Sequence, residues 1–366
     1  MSSDEHKKDH INIQSFEFES DPVFPEVTVV YETWGTLNDA RDNAVMIEHA
    51  LTGSSHAASA PDDPAPGWWE YLIGPGCAID TAKYFVICAN VLGGCNGTTG
   101  PSSPSHTNGR PYGTDFPVVT VRDMVRSQKH VIDHLGIERL HTIIGGSMGG
   151  MQALEWAAMY PDSVNSIMCM AAPGRAYPQS IALRKAQRRA IMMDPDWCKG
   201  HYYGKSIPAA GIEVARMIGH ITYRTEMEFA QRFGRDHHDD DLYALTSKFE
   251  IENYLEYQGT KLAARFDANT YLYLSKAMDL HDMGYRCESY EQGLQRIRAK
   301  TLVMGIDSDI LFPTYQQKEI VDILKMTNND VQYREITSIK GHDGFLVEQE
   351  QVTQLVRDYL EYLKGR

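Results

Sequence analysis

A chain of 366 residues with 42% hydrophobic and 23% charged side chains is composed like a globular protein, and suits one large domain with an insertion or two domains. Its 35 basic and 49 acidic residues give a formal net charge of -14, which argues against a surface built to neutralise nucleic-acid phosphates or to sit on anionic lipid. No apolar run approaches the roughly 20 residues needed to cross a bilayer, and residues 1–8 lack the apolar core of a secretory signal, so the expected compartment is the cytoplasm.

Residues up to about Pro25 read as a polar lead-in with one edge strand at 13–19. Strands are predicted at 27–31 and 44–49, the second running into a loop at 50–56. Residues 84–90 form a short apolar run of the kind a doubly covered parallel strand shows. A Gly/Ser/Pro/Thr-rich segment from 93 to 117 exceeds the usual connection length, and ordered loops of that length tend to be functional. Residues 120–135 carry apolar side chains at helical spacing and close on Gly136.

Strand 140–144 then feeds a complete G-x-S-x-G at Gly145, Ser147 and Gly149, and a helix-forming run, 151–160, leaves it. A serine at a sharp strand-to-helix turn sits in a strained backbone, so its neighbours must be small where other backbone comes close. A further apolar strand spans 164–172, and the repeated strand–helix alternation predicts a mostly parallel sheet wrapped by helices. From 174 to 290 the pattern is helical, with no convincing strand. Sheet texture resumes at 301–306 and 331–336, and a final helix covers about 346–363. The predicted organisation is a core of 1–173 and 291–366 interrupted by a helical lid, 174–290.

A serine hydroxyl needs a base to take its proton and an acid to orient that base. Behind an elbow of this type the partners follow in the order Ser, Asp or Glu, His, after later strands. His342, after the last strand, is the base. Asp307 and Asp309 both stand after the preceding strand, and spacing does not separate them. The oxyanion of a tetrahedral intermediate needs two donors, assigned to the N–H groups of Met148 and Leu51.

Residues 48–56, 67–69, 73–76, 91–101, 145–152 and 341–343 together closely resemble the homoserine O-acyltransferases of the α/β-hydrolase fold, over nearly the whole chain from about Phe16. The resemblance implies acetyl transfer from acetyl-CoA, as co-substrate, to the hydroxyl of L-homoserine in methionine biosynthesis, with no bound cofactor. It selects Asp309 as the acid, and it points to Arg216 and Asp343 as the groups that hold the amino acid, with Thr52 beside them. Arg224 is left open. Family members that use succinyl-CoA carry an arginine two residues after the acid; here that position is Leu311, which favours acetyl. Gly344 stands where the family often has alanine. A homodimer through the lid is also implied.

Other readings remain. A succinyltransferase, a serine O-acyltransferase, or an esterase or thioesterase would use the same triad, and serine differs from homoserine by one methylene, worth about 1–3 kcal/mol of discrimination. A non-catalytic scaffold is disfavoured by the presence of all triad elements. Arg184, Lys185, Arg188 and Arg189 read as a solvated helix face rather than a site for CoA phosphates. Residues 236–241 read as a solvated loop rather than a metal site, and no metal is called for. The six cysteines contain no C-x-x-C pair, which argues against a zinc ribbon or redox motif, and Cys88 and Cys169, in apolar strand-like runs, are expected to be reduced core thiols.

Overall fold

The computed structural model describes residues 6–61, 63–328 and 330–365. The chain opens with two long strands, β1 (His6–Glu17) and β2 (Val23–Trp34), followed by β3 (Ala44–Glu48), a two-residue pair β4 (Ile73–Gly74) and β5 (Ile79–Asp80), and β6 (Phe85–Ala89). Helix α1 (Val121–His134), β7 (Thr142–Gly146), α2 (Met148–Met159) and β8 (Ser166–Met170) come next. Five longer helices then follow without a strand: α3 (Pro178–Met193), α4 (Ala209–Tyr223), α5 (Glu226–Phe233), α6 (Glu250–Ala263) and α7 (Ala268–Asp279). The short α8 (Tyr290–Leu294) leads into β9 (Lys300–Ile306), α9 (Thr314–Leu324), β10 (Val331–Ile336), α10 (Gly344–Val347) and α11 (Gln349–Lys364).

Eight strands make one sheet in the order β1-β2-β6-β3-β7-β8-β9-β10. The β1–β2 and β2–β6 pairs are antiparallel, and all others are parallel. Every residue of β3, β7 and β8 is buried, because helices cover both faces there. Side-chain alternation sorts β3 between two cores. Met46 joins the cluster that holds α1, α2 and much of the helical insertion, while Val45 and Ile47 join the one under α11. Helix α1 starts where Thr120 and Asp123 cap each other reciprocally, and Gly136, at φ 68°, takes the left-handed turn that ends it.

Two expectations change. The lead-in is not merely polar with a strand at 13–19, since β1 begins at His6 and pairs with β2 along its length. Its Lys7, Lys8, Asp9 and His10 belong to a strand at the sheet's edge, where only Ile11, Ile13 and Phe16 turn fully inward. Helix α9, between Pro313 and β10, had no counterpart in the reading. The long 93–117 loop is ordered and runs along the edge of β2, where Thr98 and Thr99 hydroxyls accept from the Val30 and Thr28 N–H groups at 2.9 and 2.8 Å.

The helical insertion leaves the sheet after β8 and returns before β9, and these strands are neighbours. Its two stems pair with each other: Ala176 N–H donates to His281 C=O at 2.8 Å, Met283 N–H donates to Gly174 C=O at 2.9 Å, and Arg175 bridges Asp282.

Candidate active site

The turn between β7 and α2 places Ser147 at φ 58° and ψ -122°, a conformation that strains a side-chain-bearing residue by about 1–3 kcal/mol. Gly149 makes the turn possible, because a Cβ there would lie 2.0 Å from the Glu48 carbonyl oxygen. Gly145 is similarly constrained, since a Cβ there would lie 2.3 Å from the Gly149 carbonyl oxygen. Ser147 is buried, and its N–H donates to Met170 C=O at 2.9 Å, tying the elbow to β8.

The 3₁₀ turn Gly341–Asp343 after β10 brings the His342 imidazole to Ser147, with Nε2 2.9 Å from Oγ. Nδ1 lies 2.6 Å from Asp309 Oδ2, which fixes the tautomer: Nδ1–H donates to the carboxylate and Nε2 accepts from the hydroxyl. Asp309 is held in turn through Oδ1, which accepts from the Leu311 and Phe312 N–H groups at 2.8 and 2.9 Å. The choice between the two aspartates is therefore decided. Asp307 is exposed, and its Oδ1 accepts from Ser338 N–H. Phe312, Phe345 and Tyr223 surround the imidazole, with ring centroids 5.1, 5.7 and 5.9 Å away. Burial pulls the His342 pKa down, but the charge and hydrogen bond of Asp309, and then the charge of Asp343, lift it above its ordinary value.

Leu51, Thr52 and Ser147 line one cavity together with Arg216, Leu311, His342 and Asp343. Met148 opens α2 directly beside the hydroxyl. Among the described residues neither the Leu51 nor the Met148 N–H donates to a protein acceptor, so both are available to an oxyanion.

The far wall of the cavity comes from the helical insertion. Arg216 on α4 makes no ion pair or hydrogen bond among the described residues, and its Nε is buried. Its guanidinium lies 5.8 Å from the Tyr223 ring centroid. Arg224, which the sequence left open, pairs with Asp343 (Nε–Oδ2 3.0 Å) and with Glu228 (Nη1–Oε1 2.9 Å). Burial raises the Asp343 pKa, opposed first by Arg224, then by His342 and Arg216.

The solvated-face reading of α3 fails for Arg184 and Arg188. Arg184 is buried in the cavity wall with Nε 2.6 Å from Asp279 Oδ1, and Arg188 holds the other oxygen of the same carboxylate. Lys185 and Arg189 are exposed, as expected. Gln187 and Tyr223, which also line the cavity, were missed by sequence reasoning. In the 236–241 loop the side chains are mostly exposed, and His238 Nδ1 lies 3.2 Å from Glu250 Oε1. All six cysteines are free thiols.

The family model for the alpha/beta hydrolase fold matches residues 43–349. Homoserine O-acetyltransferase of Carboxydothermus hydrogenoformans is 51% identical over 345 residues, spanning 93% of this chain and 91% of its own. The enzyme of that name from Deferribacter desulfuricans is 51% identical over 354 residues, spanning 96% and 94%. Among solved structures, homoserine O-acetyltransferase from Bacillus anthracis superposes with a TM-score of 0.91 at 32% identity, covering 97% of each chain. Esterase E22 superposes at 0.89 with 33% identity, covering 97% of this chain and 100% of its own. By sequence and by architecture, the chain belongs to the homoserine O-acetyltransferase family of the alpha/beta hydrolase fold.

Proposed function

We propose that this protein transfers an acetyl group from acetyl-CoA to the hydroxyl of L-homoserine through an acetyl-Ser147 intermediate. The observation that carries the proposal is the hydrogen-bonded Ser147–His342–Asp309 chain opening into a cavity that the Asp343 carboxylate also lines and whose far wall presents the unpaired Arg216. His342 Nε2 takes the Ser147 proton as Oγ attacks the thioester carbonyl, and the Leu51 and Met148 N–H groups receive the negative oxygen. Collapse breaks the C–S bond, and the CoA thiolate leaves with the proton from His342. The homoserine hydroxyl then gives its proton to the same nitrogen and attacks the acetyl-serine. A second collapse returns the proton to Oγ and releases O-acetylhomoserine.

A guanidinium such as Arg216 grips a carboxylate bidentately, and Asp343, steadied by Arg224, suits the ammonium of the amino acid. Leu311, buried in the cavity wall, offers an apolar surface to an acetyl methyl and no partner to a succinyl carboxylate. The helical insertion acts as a lid that keeps water from the acyl-enzyme. The enzyme works in the cytoplasm in methionine biosynthesis, binds no cofactor, and pairs as a homodimer through α4 and its neighbours, where Val214, Ile221 and Met227 are exposed. No described helix is long and apolar enough to cross a membrane.

Hydrolysis is the second reading, favoured by the likeness to esterase E22. Thiol release from acetyl-CoA, followed with and without homoserine, separates the two. Transfer requires release that depends on homoserine after one acetyl per chain, with the mass of Ser147 raised by one acetyl group. Steady release indifferent to homoserine would mark a hydrolase.

A further inference from the structure

Four polar side chains lie wholly buried beneath the elbow, outside the cavity lining: Glu48, Gln128 and Gln152, which have no exposed surface, and the indole nitrogen of Trp156. A G-x-S-x-G turn needs none of them. Burying such groups costs stability unless each is satisfied, and apolar side chains of the same volume would fill the space more cheaply.

Their hydrogen bonds run to both halves of the predicted oxyanion hole. Gln152, one helical turn after Met148, donates from Nε2 to the carbonyls of Met148 and His49 at 3.3 and 3.2 Å. One amide thus ties the start of α2 to the loop that carries Leu51. Its Oε1 accepts from Gln128 Nε2 at 2.8 Å, which also donates to Glu48 Oε2 at 2.7 Å, and Trp156 Nε1 donates to Gln128 Oε1 at 2.8 Å. From the other side, His49 Nε2 accepts from Val91 N–H at 3.2 Å, so Nδ1–H donates to Ala50 C=O at 2.8 Å. That carbonyl also receives Gly53 N–H at 2.9 Å.

We propose that Gln152, braced by Gln128, Glu48 and Trp156, is a positioning residue that sets the separation of the Leu51 and Met148 N–H donors and so tunes stabilisation of the tetrahedral intermediate. Burial agrees with a neutral network: it raises the Glu48 pKa well above the ordinary value and lowers that of His49 to about 4. The inference rests on acetyl transfer through Ser147. It also gives a physical reason for Glu48 and Gln152 in the 48–56 and 145–152 motifs, which extend beyond the elbow.

The test uses the full chain and the variants Gln152→Met and Gln128→Met, which keep side-chain length and remove the amide. Three quantities are compared with wild type: the single-turnover rate of thiol release from acetyl-CoA, the affinity for a trifluoromethyl ketone that becomes a tetrahedral oxyanion on Ser147, and the KM for homoserine. In Gln152→Met the first two should fall together by at least tenfold while the KM stays within twofold, and Gln128→Met should repeat this pattern with a smaller factor. Rate and ketone affinity within twofold of wild type would overturn the proposal, as would a loss shared equally by the KM. Should Gln152→Met not fold, Gln128→Met is judged by the same criteria. A wild-type protein that never acetylates Ser147 would instead sink the acyl-enzyme reading, before any variant is compared.

Discussion

His342 works as a base only when neutral, so the pH at which it titrates sets the acid side of the activity profile. Its pKa is raised above the ordinary 6.5, because Asp309 and Asp343 outweigh the effect of burial. The acid limb of kcat/KM is therefore expected to have its midpoint above pH 6.5. In Asp309→Asn the carboxylate's contribution is gone, so the limb should move to lower pH while the rate falls by about 10⁴. A pH–rate profile of both proteins checks this. The same shift gives stability below pH 6.5 that is lost as pH rises through the raised pKa, so the alkaline side of neutrality is the less stable one for this group. The serine and histidine were legible from turn chemistry and chain order. The acid was not legible from spacing and was selected only by the family resemblance, because what distinguishes Asp309 from Asp307 is its contact with His342, 33 residues away. Arg184 escaped for a similar reason: its partner Asp279 stands 95 residues away.

Several loops that follow parallel strands bring parts of the machinery, and the stretch between β9 and α9 brings two. Asp309 holds the imidazole, and Leu311, two residues later, faces the cavity. Leu311→Arg should accordingly shift the donor preference from acetyl-CoA toward succinyl-CoA, read as the ratio of the two kcat/KM values. A guanidinium paired with the distal carboxylate is worth about 1.5–3 kcal/mol, or roughly 10- to 100-fold in that ratio. An unchanged ratio would remove Leu311 from the specificity argument. At this scale the buried strands were easy to read, since continuous apolar runs leave little doubt. The edge strand β1 was harder, because a strand with one face in solvent dilutes its own pattern with Lys7, Lys8 and Asp9. The 93–117 loop was legible as a long ordered segment, but that its threonines satisfy N–H groups of β2 shows only in three dimensions.

For the molecule as a whole, the insertion carries both the cavity-lining Arg216 and the apolar side chains proposed for the homodimer. Ile221 is 50% exposed on α4, the helix that also bears Arg216. Ile221→Asp should shift the protein from dimer to monomer in sedimentation, with the fold retained in circular dichroism. A monomeric wild type would sink the dimer. The existence of the insertion was visible as a change of texture after Pro173, whereas its attachment was not, since main-chain pairing between stems more than 100 residues apart leaves no mark in composition. That attachment has a further consequence. Because Gly174 and Ala176 zip against His281 and Met283 at a point where β8 and β9 already touch, the helical cassette enters and leaves the sheet through one clasp, and ties such as Arg224 to Asp343 and Tyr273 to the Phe116 carbonyl are made by side chains. Transplanting the equivalent cassette from a related esterase across that clasp should leave the proton relay standing and exchange only the guest it serves.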